Sequence, residues 1–155
     1  MSSILIIALV GLFALGFIAS KACWGSEKSF SGRAYVIDGD TLAFGDTRVR
    51  LFGIDAPEMG QAQGSSAKYF LLNAVRGQTL TVRPIDTDHY GRIIAKVALP
   101  DGTDLGEMMV SQGYALAYTR FGRDYATTQR RARRANVGLW ASGGIQDPAS
   151  YRHAN

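Results

Sequence analysis

The stretch YVIDGDTLAF, residues 35–44, most constrains the fold because acidic residues interrupt a strand pattern. An apolar run stops at Asp38-Gly39-Asp40 and resumes at Leu42. Carboxylates that lie where a core closes need partners, because a buried charge without a partner is costly. A turn in which the acids cap backbone amides is the common use of such a tripeptide. A bound cation is the alternative.

Alternating apolar residues elsewhere predict further strands. Gly45-Asp46 separates two such runs and predicts a hairpin with strands at roughly 34–44 and 47–52. Two more strands are predicted around residues 80–82 and 93–99, joined through DTDHYGR. Helical periodicity and capping signals predict three helices, at residues 65–77, 104–112 and 124–137. In the first of them, serine is available to cap the start and Gly77 to end it.

This order of elements predicts a mainly β, α+β domain. We expect a five-stranded barrel of the oligonucleotide-binding type with about three helices, preceded by an N-terminal hydrophobic helix. The pattern alone leaves another small α+β arrangement open. The chain has 155 residues, enough for one domain with a hydrophobic core. Its one cysteine, Cys23, excludes an internal disulfide framework and a cysteine-based zinc site.

The domain boundaries follow from changes in composition. Residues 1–22 are a predicted signal peptide or membrane anchor, because residues 2–20 carry no charge and are long enough to enter a bilayer. Residues 23–32 are a predicted linker. The barrel domain is predicted at residues 33–142, and a loose tail at 143–155.

The charge of the chain suits a phosphate-bearing partner. The net charge is +4, the sequence pI is about 9.4, and thirteen of the seventeen basic residues are arginine. The guanidinium group matches phosphate geometry. Residues 120–134 hold six arginines and one acid, which indicates a solvated helix face or a non-specific contact with a nucleic-acid backbone.

Residues 38–58 differ from the rest of the chain because they hold five acids and two bases. Asp40 and Asp55 each lie at the end of a predicted strand, so the hairpin brings the two carboxylates together. Oxygen ligands with no histidine or cysteine nearby favour a hard cation, calcium or magnesium. Glu58 follows three residues after Asp55, on a chain stiffened by Pro57. From there its carboxylate can reach a water beside the metal.

Three motifs occur in a fixed order: VIDGDTL, RLFGIDAPE, and YGR at residues 90–92. With these separations they resemble the thermonuclease (micrococcal nuclease) family, over about residues 33–140. The resemblance implies an oligonucleotide-binding barrel and calcium-dependent cleavage of DNA and RNA, with 3′-phosphate products.

The resemblance also implies a metal site. The calcium ligands of the family match Asp40, Asp55 and the backbone carbonyl of Ala56. Asp38 matches an acid that lies beside the calcium and reaches it through water.

The remaining matches are to catalytic and substrate-binding positions. The general base of the family matches Glu58, and its two catalytic arginines match Arg50 and Arg92. Residues near a bound nucleotide match three positions: Tyr90, Tyr118 and His89, the last where the best-known member has a lysine.

These residues suit phosphodiester hydrolysis, in which water attacks an anionic phosphorus and charge develops on its oxygens. A cation and two arginines can stabilise that charge, and Glu58 can take the proton of the water. We therefore expect a calcium-dependent nuclease that acts on DNA and RNA without strong sequence specificity. The alternative is a barrel that binds single strands on aromatic and basic residues without cutting them.

The location of the enzyme depends on the hydrophobic segment. Lys21 and Lys28 follow it and no basic residue precedes it, which by the positive-inside rule favours a cytoplasmic domain. A site with few carboxylates binds calcium weakly, with a dissociation constant of about 10⁻⁴ to 10⁻³ M that is typical of extracellular modules. We expect an extracytoplasmic enzyme, membrane-anchored or secreted. The sequence leaves the oligomeric state open.

Overall fold

The computed structural model describes residues 28–119 and 123–154, which form a mixed α+β fold. The eight strands of these residues are β1 Phe30–Gly32, β2 Tyr35–Val36, β3 Thr41–Phe44, β4 Thr47–Leu51, β5 Ile54–Asp55, β6 Leu80–Thr87, β7 Ile93–Ala98 and β8 Leu116–Ala117. The helices are α1 Gly64–Val75, α2 Leu105–Ser111, α3 Ala126–Arg134, a 3₁₀ helix Gly138–Ser142, and α4 Pro148–Ala154. One sheet has the order β1-β6-β7-β4-β3-β2, and β5 pairs with β8 in a second sheet.

The predicted strand at residues 34–44 is instead two short strands, β2 and β3, that pair with each other in antiparallel fashion. The chain reverses at Asp38-Gly39-Asp40, where the N–H of Ile37 donates to the carbonyl of Thr41 at 2.9 Å. The prediction of a continuous strand was wrong because the acids form a turn. Val36 and Leu42 still pair and are both buried, so the core closes on either side of this turn.

The predicted hairpin at Gly45-Asp46 is confirmed, and β3 pairs with β4 from Thr41 opposite Arg50 to Phe44 opposite Thr47. The second neighbour of β4 in the sheet was not predicted. β4 also pairs with β7 in parallel, with Val49 opposite Ile93. This parallel pair joins the first hairpin to the β6–β7 hairpin, so segments that are distant in sequence share one sheet.

The three predicted helices are confirmed as α1, α2 and α3, with shifted ends. The α1 helix buries Ala67, Leu71 and Val75 in the core and is followed by Gly77 at φ 73°. The predicted serine cap of α1 was wrong, because the helix begins at Gly64 and its serines lie inside the first turn. The α2 helix is capped as predicted, since Asp104 accepts a hydrogen bond from the N–H of Glu107 at 3.0 Å.

The α+β class is confirmed, and the element counts differ from those predicted. The described residues form six strands in one sheet and two in another, where we predicted five in all, and α4 is an additional helix. β1 lies in the segment predicted as linker, and α4 lies in the segment predicted as tail. The hydrophobic segment, residues 1–22, lies outside the described residues. Within residues 28–119 and 123–154, every helix is too short or too polar to cross a bilayer.

Candidate active site

The turn at Asp38-Gly39-Asp40 forms one wall of the site. Asp38 Oδ1 accepts a hydrogen bond from the N–H of Asp40 at 3.0 Å, which fixes the turn. Gly39 is required because a Cβ there would lie 2.6 Å from the Cβ of Ala56 and 2.9 Å from that of Ala67. The turn can therefore press against Ala56 and α1. Asp38 thus fixes the backbone at Asp40 and leaves the Asp40 side chain for other contacts. A turn at this tripeptide is therefore compatible with Asp40 acting as a metal ligand.

Asp40 is a buried carboxylate with several donors. Its Oδ1 accepts hydrogen bonds from Arg50 Nη1 at 3.0 Å and Thr41 Oγ1 at 2.9 Å. Its Oδ2 accepts one from the N–H of Ala56 at 3.3 Å. Burial raises the pKa of Asp40 to about 7, because desolvation of the carboxylate outweighs its attraction to Arg50. The contact with Arg50 therefore does not fully compensate Asp40 for the loss of water.

Asp55 lies on β5 and meets Asp40 through one guanidinium. Arg50 Nη1 contacts Asp40, while Arg50 Nη2 contacts Asp55 Oδ1 at 2.9 Å. The side chains of Asp40 and Asp55 are only 7% and 4% exposed. Burial by itself lowers the pKa of Arg50, and the two carboxylates raise it above its ordinary value. Hairpin pairing and β5 thus bring together the two acids that the sequence predicted to converge.

Glu58 lies on the loop between β5 and α1. Its backbone N–H donates to Gln61 Oε1 at 2.6 Å, and its carbonyl accepts from the N–H of Gln61 at 2.8 Å. A Cβ on Gly64 would collide with this carbonyl, so glycine lets the start of α1 press against the loop. The half-buried side chain of Glu58 is held by Arg152 of α4, whose Nη1 lies 2.5 Å from Glu58 Oε1.

Arg152 also contacts Asp55, and sequence analysis missed it. Its Nη2 lies 2.8 Å from Asp55 Oδ2, and its Nη1 donates to Asp55 Oδ1 at 3.1 Å. These hydrogen bonds raise the pKa of Arg152 further above its ordinary value. No local motif marks Arg152, because its contacts with Glu58 and Asp55 span 94 and 97 positions of sequence.

Arg92 lies on the turn between β6 and β7 and is oriented by Asp88, which sequence analysis also missed. Arg92 Nε donates to Asp88 Oδ2 at 2.7 Å, while Asp88 Oδ1 accepts from the backbone N–H groups of Tyr90 and Arg92. Desolvation by itself raises the pKa of Asp88, but these hydrogen bonds lower it overall. Arg92 directly precedes β7, and Ile93 of β7 pairs with Val49 of β4. Arg92 therefore lies at the end of the strand next to the one that carries Arg50.

The aromatic residues of this turn are exposed. Tyr90 is 73% exposed, its ring contacts that of His89 at an angle of 41° with centroids 3.7 Å apart, and the Arg92 guanidinium lies 5.4 Å from its centre. Tyr118 follows β8, which pairs with β5, and its N–H donates to the carbonyl of Gly53 at 2.8 Å. The sheet pairings thus place Tyr118 next to the strand of Asp55 and the Tyr90 turn next to the strand of Arg50.

The site offers oxygen donors suited to a hard cation. Asp55 and Ala56 are adjacent in the chain, and Asp40 is hydrogen-bonded to the N–H of Ala56. A cation would stabilise the two buried carboxylates in their charged form. Residues 28–119 and 123–154 contain no cluster of three or more acidic, histidine or cysteine side chains arranged around a metal position. A cation held here would depend on two carboxylates, a carbonyl and water.

Comparison with known proteins identifies the class of enzyme. A family model described as Staphylococcal nuclease homologue matches residues 48–142. A micrococcal nuclease of Shigella flexneri is 33% identical over 158 aligned residues, covering 92% of this chain and 90% of that protein. An Escherichia coli protein described as an uncharacterized endonuclease is 36% identical over 124 residues, 76% of this chain and 81% of the relative.

These similar proteins are nucleases. The chain belongs to the staphylococcal nuclease family, so the predicted resemblance to thermonucleases is confirmed. A probable staphylococcal-like nuclease of Oryza sativa subsp. japonica is 37% identical over 107 residues, 68% of this chain and 32% of that longer protein. Family membership supports an enzyme that hydrolyses nucleic acids.

Proposed function

We propose that the protein is a calcium-dependent phosphodiesterase that hydrolyses DNA and RNA without strong sequence specificity, on an oligonucleotide-binding-type barrel. The observation that carries this proposal is the guanidinium of Arg50 between two buried carboxylates, Asp40 and Asp55, with Glu58 beside them. A pure binding module has no need for a buried acidic pair in a protein of net charge +4.

The donor set supports calcium as the cofactor. Asp40, Asp55 and the carbonyl of Ala56 would hold the ion, with Asp38 contributing through water. A bound calcium supplies Lewis-acid polarisation of a phosphate oxygen. Calcium also suits a site with few carboxylates, because it accepts carbonyl and water oxygens in flexible geometry.

The chain's own residues supply the remaining steps. Glu58 takes the proton of the attacking water, because its carboxylate is half-buried and lies next to the same group of residues. Arg50 and Arg92 donate paired hydrogen bonds to phosphate oxygens and stabilise the charge that develops there. Tyr90, Tyr118 and His89 bind the nucleotide; the rings of Tyr90 and His89 are exposed and in contact. The proposed products carry a 3′-phosphate.

A nuclease assay on the protein from residue 24 onward tests the proposal. We expect digestion of both DNA and RNA with calcium and loss of activity with chelator. End-labelling of the products tests the 3′-phosphate. Undiminished activity in excess chelator would exclude calcium dependence.

Glu58→Gln separates catalysis from binding. Loss of a general base should lower the rate by roughly 10² to 10⁴-fold. Calcium and oligonucleotide binding should change little, because the amide keeps the shape of the carboxylate. Glu107→Gln is the matched control, since Glu107 lies on α2 and contacts Thr128. Oligonucleotide binding without cleavage by the wild-type protein would favour the binding module.

We further propose that the enzyme faces away from the cytoplasm, tethered or released. The expected weak calcium affinity suits an extracytoplasmic calcium concentration. A nuclease of low specificity in the cytoplasm would also cut the nucleic acids of its own cell.

A further inference from the structure

The segment that carries α4 lies across the loop that carries Glu58. We call residues 144–154 the α4 segment. Gln63 Nε2 donates to the carbonyl of Gly144 at 2.5 Å, and the Nε2 of buried Gln61 donates to the carbonyl of Gln146 at 3.4 Å. The Tyr151 hydroxyl lies so close to Gly60 that a Cβ at residue 60 would collide with it. Three contacts other than those of Arg152 therefore hold the α4 segment against this loop.

Arg152 engages both oxygens of Asp55. Its two terminal nitrogens lie 3.1 Å from Asp55 Oδ1 and 2.8 Å from Asp55 Oδ2, and one of them also contacts Glu58. Arg50 binds differently, because it contacts only Oδ1 of Asp40 and only Oδ1 of Asp55. Within the described residues, it makes no hydrogen bond to Oδ2 of either carboxylate. Arg152 thus covers the part of Asp55 that Arg50 leaves available.

The two arginines also differ in how firmly they are held. Arg50 lies in the middle of the six-stranded sheet and its side chain is 19% exposed, whereas Arg152 lies on a seven-residue helix and is 40% exposed. Displacing Arg50 would disturb the sheet. Displacing Arg152 requires only that the α4 segment move away from the loop of Glu58.

We propose that Arg152 competes with the divalent cation for Asp55, and that cation binding releases the α4 segment. This inference rests on the proposed calcium site. Arg152 contacts both oxygens of Asp55, so a cation bound to this carboxylate would lie close to the guanidinium, and the two positive charges would repel each other. Without the cation, Arg152 holds Asp55 and Glu58 together, so neither the metal ligand nor the general base is available. With the cation, Glu58 is released to contact water.

Calcium titration by calorimetry tests the competition. Arg152→Ala should tighten calcium binding by roughly fivefold to fiftyfold, since two charge-assisted contacts no longer oppose it. Arg152→Lys should give a smaller change, because it keeps the charge and loses the paired geometry. Arg83→Ala is the control for net charge, since Arg83 is exposed on β6. An equal change in the Arg152→Ala and Arg83→Ala proteins would overturn the proposal.

Hydrogen exchange on the wild-type protein gives an independent readout. Calcium should speed amide exchange in residues 148–154 and leave residues 105–111 of α2 unchanged. Unchanged or slower exchange in residues 148–154 at saturating calcium would overturn the proposal while leaving the calcium site intact. Failure of both the wild-type and the Arg152→Ala proteins to bind calcium would overturn the calcium site and this inference together.

Discussion

At the scale of single residues, the site depends on one glycine between two acids. Gly39 lies against Ala56 and Ala67, and the absence of a side chain lets the turn carry Asp40 into the interior. Burial then raises the pKa of Asp40 to about 7. In the absence of cation, the ionised carboxylate is therefore costly, and a bound cation would lower that cost.

Gly39→Ala should destabilise the protein by about 1–3 kcal/mol, because the added methyl group overpacks a contact between Cβ atoms that have no room to move. We expect weaker calcium binding as well, since the turn carries Asp40. Urea unfolding and calcium titration measure the two effects. The matched control is Gly32→Ala, where the nearest atom to the new Cβ lies at 3.4 Å. Equal stability of the two variants would mean that the turn relaxes around the methyl group.

At the scale of elements, the turn between β6 and β7 orients Arg92, the arginine proposed to act on the phosphate. Asp88 closes the turn through the backbone N–H groups of Tyr90 and Arg92 and also accepts from Arg92 Nε. Gly91, at φ 77°, allows the chain to complete this turn. One side chain thus couples the shape of the turn to the direction of Arg92.

Asp88→Asn should lower kcat/KM by roughly tenfold to a hundredfold, because a misplaced catalytic group loses its alignment with the phosphate. Calcium affinity should stay unchanged, since the proposed calcium ligands are Asp40, Asp55 and the carbonyl of Ala56. Asp86→Asn is the control, because Asp86 is exposed on β6 and its carboxylate contacts only the adjacent N–H of Thr87 among the hydrogen bonds described. Adding Arg92→Ala to Asp88→Asn should cost less than Arg92→Ala alone. Full additivity of the two losses would contradict a positioning role for Asp88.

At the scale of the whole molecule, an acidic site lies within a basic protein. Residues 38–58 hold five acids and two bases in a chain of net charge +4. The exposed arginines of α3 include Arg130, Arg131 and Arg133, and this face can attract the phosphate backbone without reading its sequence. If the protein is the proposed nuclease, the basic face would attract the substrate, and a cation at the acidic residues would reduce their repulsion of phosphate.

The outward orientation is a prediction for the full chain in its cell. Protease added to intact cells or spheroplasts should digest the nuclease domain or find it already released, because residues 1–22 would carry it across the membrane. A cytoplasmic protein serves as the control for membrane integrity. A nuclease domain that stays protected until the inner membrane is broken would mean that the domain faces the cytoplasm.

Much of the fold and the site could be predicted because the relevant signals are local. The β3–β4 hairpin follows from Gly45-Asp46 between alternating residues, and the cap of α2 follows from Asp104 and Glu107. Motif order gave the family and the candidate acids, and the structure brings Asp40 and Asp55 onto one arginine. The roles of these residues in catalysis remain predictions.

The tertiary structure decided what depends on contacts between distant segments. The acidic tripeptide alone did not show whether the chain turns or continues, and packing against Ala56 and α1 resolves it as a turn. The parallel pairing of β4 with β7 and the contact of Arg152 with Asp55 have no local signature. Local sequence determined the hairpins, caps and motif residues because their interactions span a few positions. Only the tertiary structure brings Arg152 of α4 to Asp55 and Glu58, because these contacts join residues that are 97 and 94 positions apart in the sequence.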